Sequence, residues 1–159
     1  MQPRIVLLEE KKLVGTHFTM SLANNSTFEL WRGFRPKAQE IENRVSSDFI
    51  SMQIYGPSYF LNFNPTNQFV KWAAVEVLNC HTVPDGLESF TLPSGEYAVF
   101  FYRGSSTDKS IFQYIFTEWL PNNSEYQLDD RPLFEVLGRN YKNNDPNSEE
   151  EIWIPVQKK

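Results

Sequence analysis

Two carboxylates stand in strand-like apolar runs, and they are the residues best placed to do chemistry in this chain. Glu135 lies in Leu133-Phe-Glu-Val-Leu137, where residues two apart share a face, so its carboxylate points the same way as Leu133 and Leu137. Glu76 lies in the run from Phe69 to Leu78, on one face with Trp72, Ala74 and Leu78. Burying an unpaired carboxylate costs several kcal/mol, so such a residue is paired, protonated, or reserved for a cationic or proton-accepting task. The plain alternative for Glu76 is an outward place on a half-exposed strand. For Glu135 it is an ion pair with Arg131 or with a Lys across the sheet. His17, His81 and the single Cys80 show neither metal-ligand spacing nor a Cys-His nucleophile, so no metal or cofactor is expected.

The elements that must position these acids follow from periodicity. Ser110 to Leu120 reads as a helix, with Ile111, Phe112, Ile115, Phe116 and Trp119 forming one broad apolar face that must lie against a sheet. A polar turn, the strand Leu133 to Leu137, an exposed loop over 139–151 and the strand Glu151 to Pro155 complete the second half. The first half opens with apolar runs 5–8 and 13–22, read as strand with a break or a bulge near Gly15. Ser26-Thr-Phe-Glu29 has the capping-box pattern and starts a helix carrying Leu30, Trp31 and Phe34, weakened by Gly33 and Pro36 before Ile41. Strands follow over 49–55 and 69–78, with two more over 87–92 and 95–102 beyond the Pro84-Asp-Gly86 turn.

Strand, helix, strand, strand thus occurs twice, over roughly 5–78 and 87–156. The expected fold is α+β, a curved antiparallel sheet with two helices on one side and a central cleft between the halves, in a single domain spanning 1–159.

Composition narrows the function. A net charge of −5 argues against a phosphate-backbone partner, so no direct DNA binding is expected, and cations are favoured. The absence of a run near ~18 apolar residues argues against a membrane span. One Cys and no apolar leader at the N-terminus indicate a cytoplasmic protein. With 13 Phe, 7 Tyr and 4 Trp, the chain has aromatics enough for both a core and a ligand pocket.

Four motifs in order, Pro93-Ser-Gly-Glu-Tyr-Ala-Val-Phe100 with Gly104, Glu118-Trp-Leu-Pro121, Arg131-Pro-Leu-Phe-Glu135 and Glu151-Ile-Trp-Ile-Pro155, resemble the GyrI-like family, the AraC-type effector-binding domain. The resemblance implies a stand-alone ligand-binding protein whose cleft takes lipophilic, cationic or drug-like compounds, with Glu135 facing the cation. It carries Trp119, Tyr102 and Trp153 over as ligand contacts. Leu137 stands where relatives commonly place a Tyr. Together with Tyr55, Trp72 and the second acid Glu76, these residues make up the expected site. Two other roles fit the same resemblance: a hydrolase opening cyclopropane-bearing natural products with Glu135 as its acid, and a protein shielding a partner such as DNA gyrase. A haem-binding role, suggested by more distant relatives, finds neither His17 nor His81 in the expected cleft.

Overall fold

The computed structural model describes residues 2–159. Its nine strands are β1 (Arg4–Leu8), β2 (Lys11–Ser21), β3 (Phe49–Ile54), β4 (Gln68–Val77), β5 (Glu88–Leu92), β6 (Gly95–Arg103), β7 (Tyr126–Leu128), β8 (Leu133–Leu137) and β9 (Glu149–Lys158). Helix α1 spans Thr27–Ala38; α2 (Ser110–Tyr114) runs through a π-helical turn (Ile115–Trp119) into α3 (Leu120–Asn122). Every strand pairing is antiparallel.

The order across the sheet is β1-β6-β9-β8-β3-β4-β2-β5, with β7 beside β9. Matching β1, β6, β9 and β8 to β5, β2, β4 and β3 makes this order read the same from either end. A duplicated unit has that signature, and the pseudo-symmetry axis falls between β8 and β3. Only Glu9 and Glu10 separate β1 from β2, and only Pro93 and Ser94 separate β5 from β6, although each pair spans nearly the whole sheet. The sheet therefore curls until its two ends meet at those short connections.

Cross-strand register sorts the side chains into two faces, because directly opposed residues of an antiparallel pair point the same way. One row across the sheet runs Thr16, Ala73, Ser51, Glu135, Ile152, Phe100. The next row runs His17, Trp72, Met52, Phe134, Trp153, Val99 and faces the other way. The first row's face carries both helices: α1 buries Leu30, Phe34 and Ala38 against Val14, Phe69, Ala73 and Val75, while Ile111 and Ile115 pack on Ala98, Phe100, Ile152 and Ile154. The second face forms a cluster drawn from the eight strands of the main path and from neither helix, so the curled sheet buries it against itself.

Local details depart from the sequence pattern in four places. The bulge expected near Gly15 is a continuous strand: Gly15 pairs with Ala74 on one side and Glu88 on the other. A Cβ there would clash with the Ala73 carbonyl oxygen, so glycine permits a close backbone approach. Ser26 sits at the N-cap of α1 without a side-chain capping bond; its carbonyl accepts from the Leu30 N–H instead. Pro36 lies inside α1 near its exposed end and does not stop it before Ala38. Finally, β7 occupies the stretch read as a polar turn, held by Asn123, whose Oδ1 accepts from the Glu125 and Tyr126 N–H groups.

Candidate functional site

Between the two helix-packed clusters, the middle of the sheet carries small and polar residues: Ser51 and Gln53 on β3, Lys71 on β4 and Glu135 on β8. No helix covers them. A cleft of about 790 Å³ opens there, a size typical of small-molecule sites. Its floor is Ser51, Lys71, Glu135 and Leu137. One wall is α1, where Phe28, Trp31, Arg32 and Arg35 fall at i, i+3, i+4 and i+7 and so share a face. The opposite wall is made by two loops, contributing Ser106, Thr107 and Lys109 from one and Tyr141, Asn143 and Asn144 from the other. These loops are laced together. The Ser106 hydroxyl donates to Asn143 Oδ1 at 2.9 Å and accepts from the Asn144 N–H at 3.1 Å, and the Gly104 N–H donates to the Ser148 carbonyl at 2.8 Å.

Glu135 does not pair with Arg131. That guanidinium donates to Asp129 Oδ2 at 2.7 Å and to the carbonyls of Glu96 and Val156 at 2.7 and 2.9 Å, and it lies over the Tyr97 ring. Arg131 thus clamps β6 to β9. Among the described residues Glu135 enters no ion pair. Its hydrogen-bond partner is another carboxyl group, Glu150.

Glu150 is 7% exposed and opposite Tyr102 on β6, on the same sheet face as Ile152. Burial first, then the hydrogen bond and charge of Glu135, push its carboxyl up to about 9, so it is protonated at neutral pH. Glu150 keeps its proton because ionising it beside Glu135 would set like charges together in a buried place. Lys71 faces the pair from across β3. Burial holds its ammonium below the ordinary lysine value, and the nearby charge of Lys109 adds to this, while Glu135 and Glu150 oppose it. Burial also raises the phenols of Tyr55 and Tyr141, both close enough to Glu135 to feel its charge.

The structure brings some expected site residues together and separates others. Tyr55 lies on the Glu135 face and lines a smaller cavity of about 220 Å³ beside Arg131 and Leu133. Tyr102 backs Glu150, its hydroxyl donating to the Ser105 carbonyl at 2.9 Å, which fixes the loop entering the cleft wall. Trp119 sits in the π-helical turn, edge-on to Phe100 at 5.3 Å, within the core under the second helix rather than in the cleft lining. Trp72 and Trp153 lie on the other face of the sheet, in the cluster no helix covers. Glu76 shares that face, paired with Lys11 at 3.1 Å.

Four participants that sequence reasoning did not single out are Glu150, Lys71, Arg35 and Tyr141. For Glu150 the signal is parity: counting back by twos from Ile154 and Ile152 reaches Glu150, not Glu149 or Glu151.

No described helix is long and apolar enough to cross a membrane, and no metal-ligand cluster occurs among the described residues. A transcriptional regulator of Pseudomonas aeruginosa, BrlR, is 28% identical over 160 residues, covering 98% of this chain but 56% of the regulator, so the chain spans about half the length of that curated relative. SAV2435 bound to tetraphenylphosphonium has a similar fold, with a TM-score of 0.73 at 16% identity over 99% of this chain and 94% of that one. EcmrR, in a complex with DNA, aligns with a TM-score of 0.74 at 15% identity over 99% of this chain and 58% of that one. These similarities agree with the resemblance to GyrI-like domains, and the family model of the integron-associated effector binding protein Cass2 matches residues 4–156, so the chain belongs to that effector-binding family.

Proposed function

We propose that this chain binds a lipophilic small molecule bearing a positive charge in the cleft between α1 and the two loops, with Glu135 receiving the charge. The observation that carries this reading is that Glu135 opens on a cleft of about 790 Å³ without a protein cation within ion-pair distance. Phe28, Trp31 and Tyr141 line the same cleft and supply aromatic faces for the apolar body of such a ligand. The bound tetraphenylphosphonium of SAV2435 belongs to the same chemical class. DNA is not a partner of this chain in this reading, since its net charge of −5 repels a phosphate backbone.

One observation favours a second reading, a hydrolase: the protonated carboxyl of Glu150 lies directly behind Glu135, which lines the cleft, as an acid–base pair would. The same assay separates the two. Tetraphenylphosphonium should bind saturably, at least ~10-fold more tightly than the neutral triphenylphosphine oxide, a gap of about 1.4 kcal/mol. Equal affinity for both would overturn the cation reading. Time-dependent conversion of cyclopropane-bearing compounds, lost in Glu135→Gln, would establish the hydrolase instead.

A further inference from the structure

The cleft has a second electrostatic feature that a cation alone leaves unused. The chain holds 15 Lys and Arg against 20 Asp and Glu, yet the cleft is lined by Arg32, Arg35, Lys71 and Lys109 against Glu135 alone. Glu150, behind Glu135, keeps its proton and adds no full negative charge. The ion pairs among the described residues use Arg4, Lys11, Lys12, His17 and Arg131. None uses a cleft cation.

Three of these charges, Arg32, Arg35 and Lys71, are also positioned. Arg32 and Arg35 are three residues apart on the face of α1 that meets the cleft. The Arg35 guanidinium lies 5.4 Å from the Trp31 ring centre and 4.7 Å from that of Phe49, contacts that orient it without cancelling its charge. Lys71 rises from the floor on β4, with β3 between it and Glu135. A half-buried ammonium without a counter-ion is a standing electrostatic cost, removed when an anion arrives.

We propose that the effector is dipolar: a lipophilic cation that also carries a carboxylate, sulfonate or phosphate, with its anionic group held by Lys71, Arg35 and Arg32. This rests on the cleft reading above and narrows the ligand class within it. The positive end meets Glu135 and the aromatic body lies along Phe28 and Trp31. The anionic end meets the basic wall.

A matched pair of dyes tests it. Rhodamine B is a zwitterion at neutral pH, and rhodamine B ethyl ester is the same cation with its carboxylate masked. Fluorescence titration of the full chain should show rhodamine B binding at least ~10-fold more tightly than the ester. Lys71→Met and, separately, the exposed Arg32→Gln should each weaken rhodamine B by ~3-fold or more while leaving the ester unchanged or tighter. Among the described residues the exposed Arg32 makes no hydrogen bond, ion pair or ring contact, so its variant remains informative if Lys71→Met misfolds. Glu135→Gln should weaken both dyes. Equal or tighter binding of the ester, with Glu135→Gln still weakening both, would overturn the dipolar ligand alone. Dyes that fail to bind, or that ignore Glu135→Gln, would overturn the cleft reading and this inference with it.

Discussion

Two adjacent rows of the same sheet, one residue out of step, have opposite fates. Trp72, Met52, Phe134 and Trp153 interlock on one face, with the Phe134 and Trp153 rings stacked at 5.1 Å and Tyr97 edge-on to both. Ala73, Ser51, Glu135 and Ile152 lie on the other, where the middle of the row has no apolar cover. Each face also holds an acid from an apolar run. Glu76 on the first meets Lys11 at 3.1 Å; Glu135 on the second meets a protonated carboxyl and an open cleft. One face thus closes on aromatic packing, while the other keeps a carboxyl group outside any ion pair at an open cleft, and the proposed ligand site rests on that difference.

The largest effect is expected on the aromatic row, which should hold the fold and not the ligand. Trp72→Ala should cost about 3–5 kcal/mol in denaturant unfolding, because the ring is buried among Met52, Phe90 and Leu92 and the strands cannot collapse to fill the gap. Tetraphenylphosphonium affinity of the fraction still folded should be little changed. A loss of affinity without a loss of stability would place the site on the wrong face.

A smaller effect sharpens the polar side. The folded state raises Glu150 above its ordinary value of 4.5, to about 9, so the folded protein holds more protons than the unfolded chain between those values. Stability from this group is full below pH 4.5 and lost as pH rises through about 9, a change on the order of a few kcal/mol. Glu150→Gln should flatten that part of the stability–pH curve while leaving the acid limb in place. An unchanged slope would show that Glu150 does not keep its proton in the folded state.

Lys71→Met should raise stability by about 1 kcal/mol in the absence of ligand, since it replaces a desolvated, unpaired ammonium with an apolar side chain of similar length. Destabilisation would mean that Lys71 is held by Glu135 as a structural pair. Smallest of all, Glu76→Gln should cost less than ~1 kcal/mol, and the cost should fade with added salt, as for a half-exposed ion pair.

Much of this was legible in the chain. Leu133 to Leu137 is a short apolar run that reads as a strand, whose parity sets Glu135 on one face with Leu133 and Leu137, and the two helices announce themselves by their apolar stripes. What parity cannot say is which face of a sheet the helices will cover. Trp72 and Trp153 are aromatic and strand-borne, like the residues expected around a ligand, and only the register across β3, β4, β8 and β9 places them opposite Glu135. Glu150 was hidden by company: Ser148-Glu-Glu-Glu151 has the composition of a solvated loop, and its middle carboxyl is buried only because β9 begins at Glu149, three residues before the first apolar residue, Ile152. Arg32, Arg35, Lys71 and Lys109 come from α1, β4 and the loop before α2, and nothing in their spacing anticipates that the fold gathers them.

If a cation is recognised by Glu135, which enters no ion pair, and not by Glu76, which pairs with Lys11, parallel titration of tetraphenylphosphonium into Glu135→Gln and Glu76→Gln separates the two acids. Glu135→Gln should lose at least ~10-fold in affinity with its unfolding midpoint nearly unchanged, while Glu76→Gln binds like the parent chain. Unchanged affinity in Glu135→Gln, or an equal loss in both variants, would contradict the assignment of the site to the open face of the sheet.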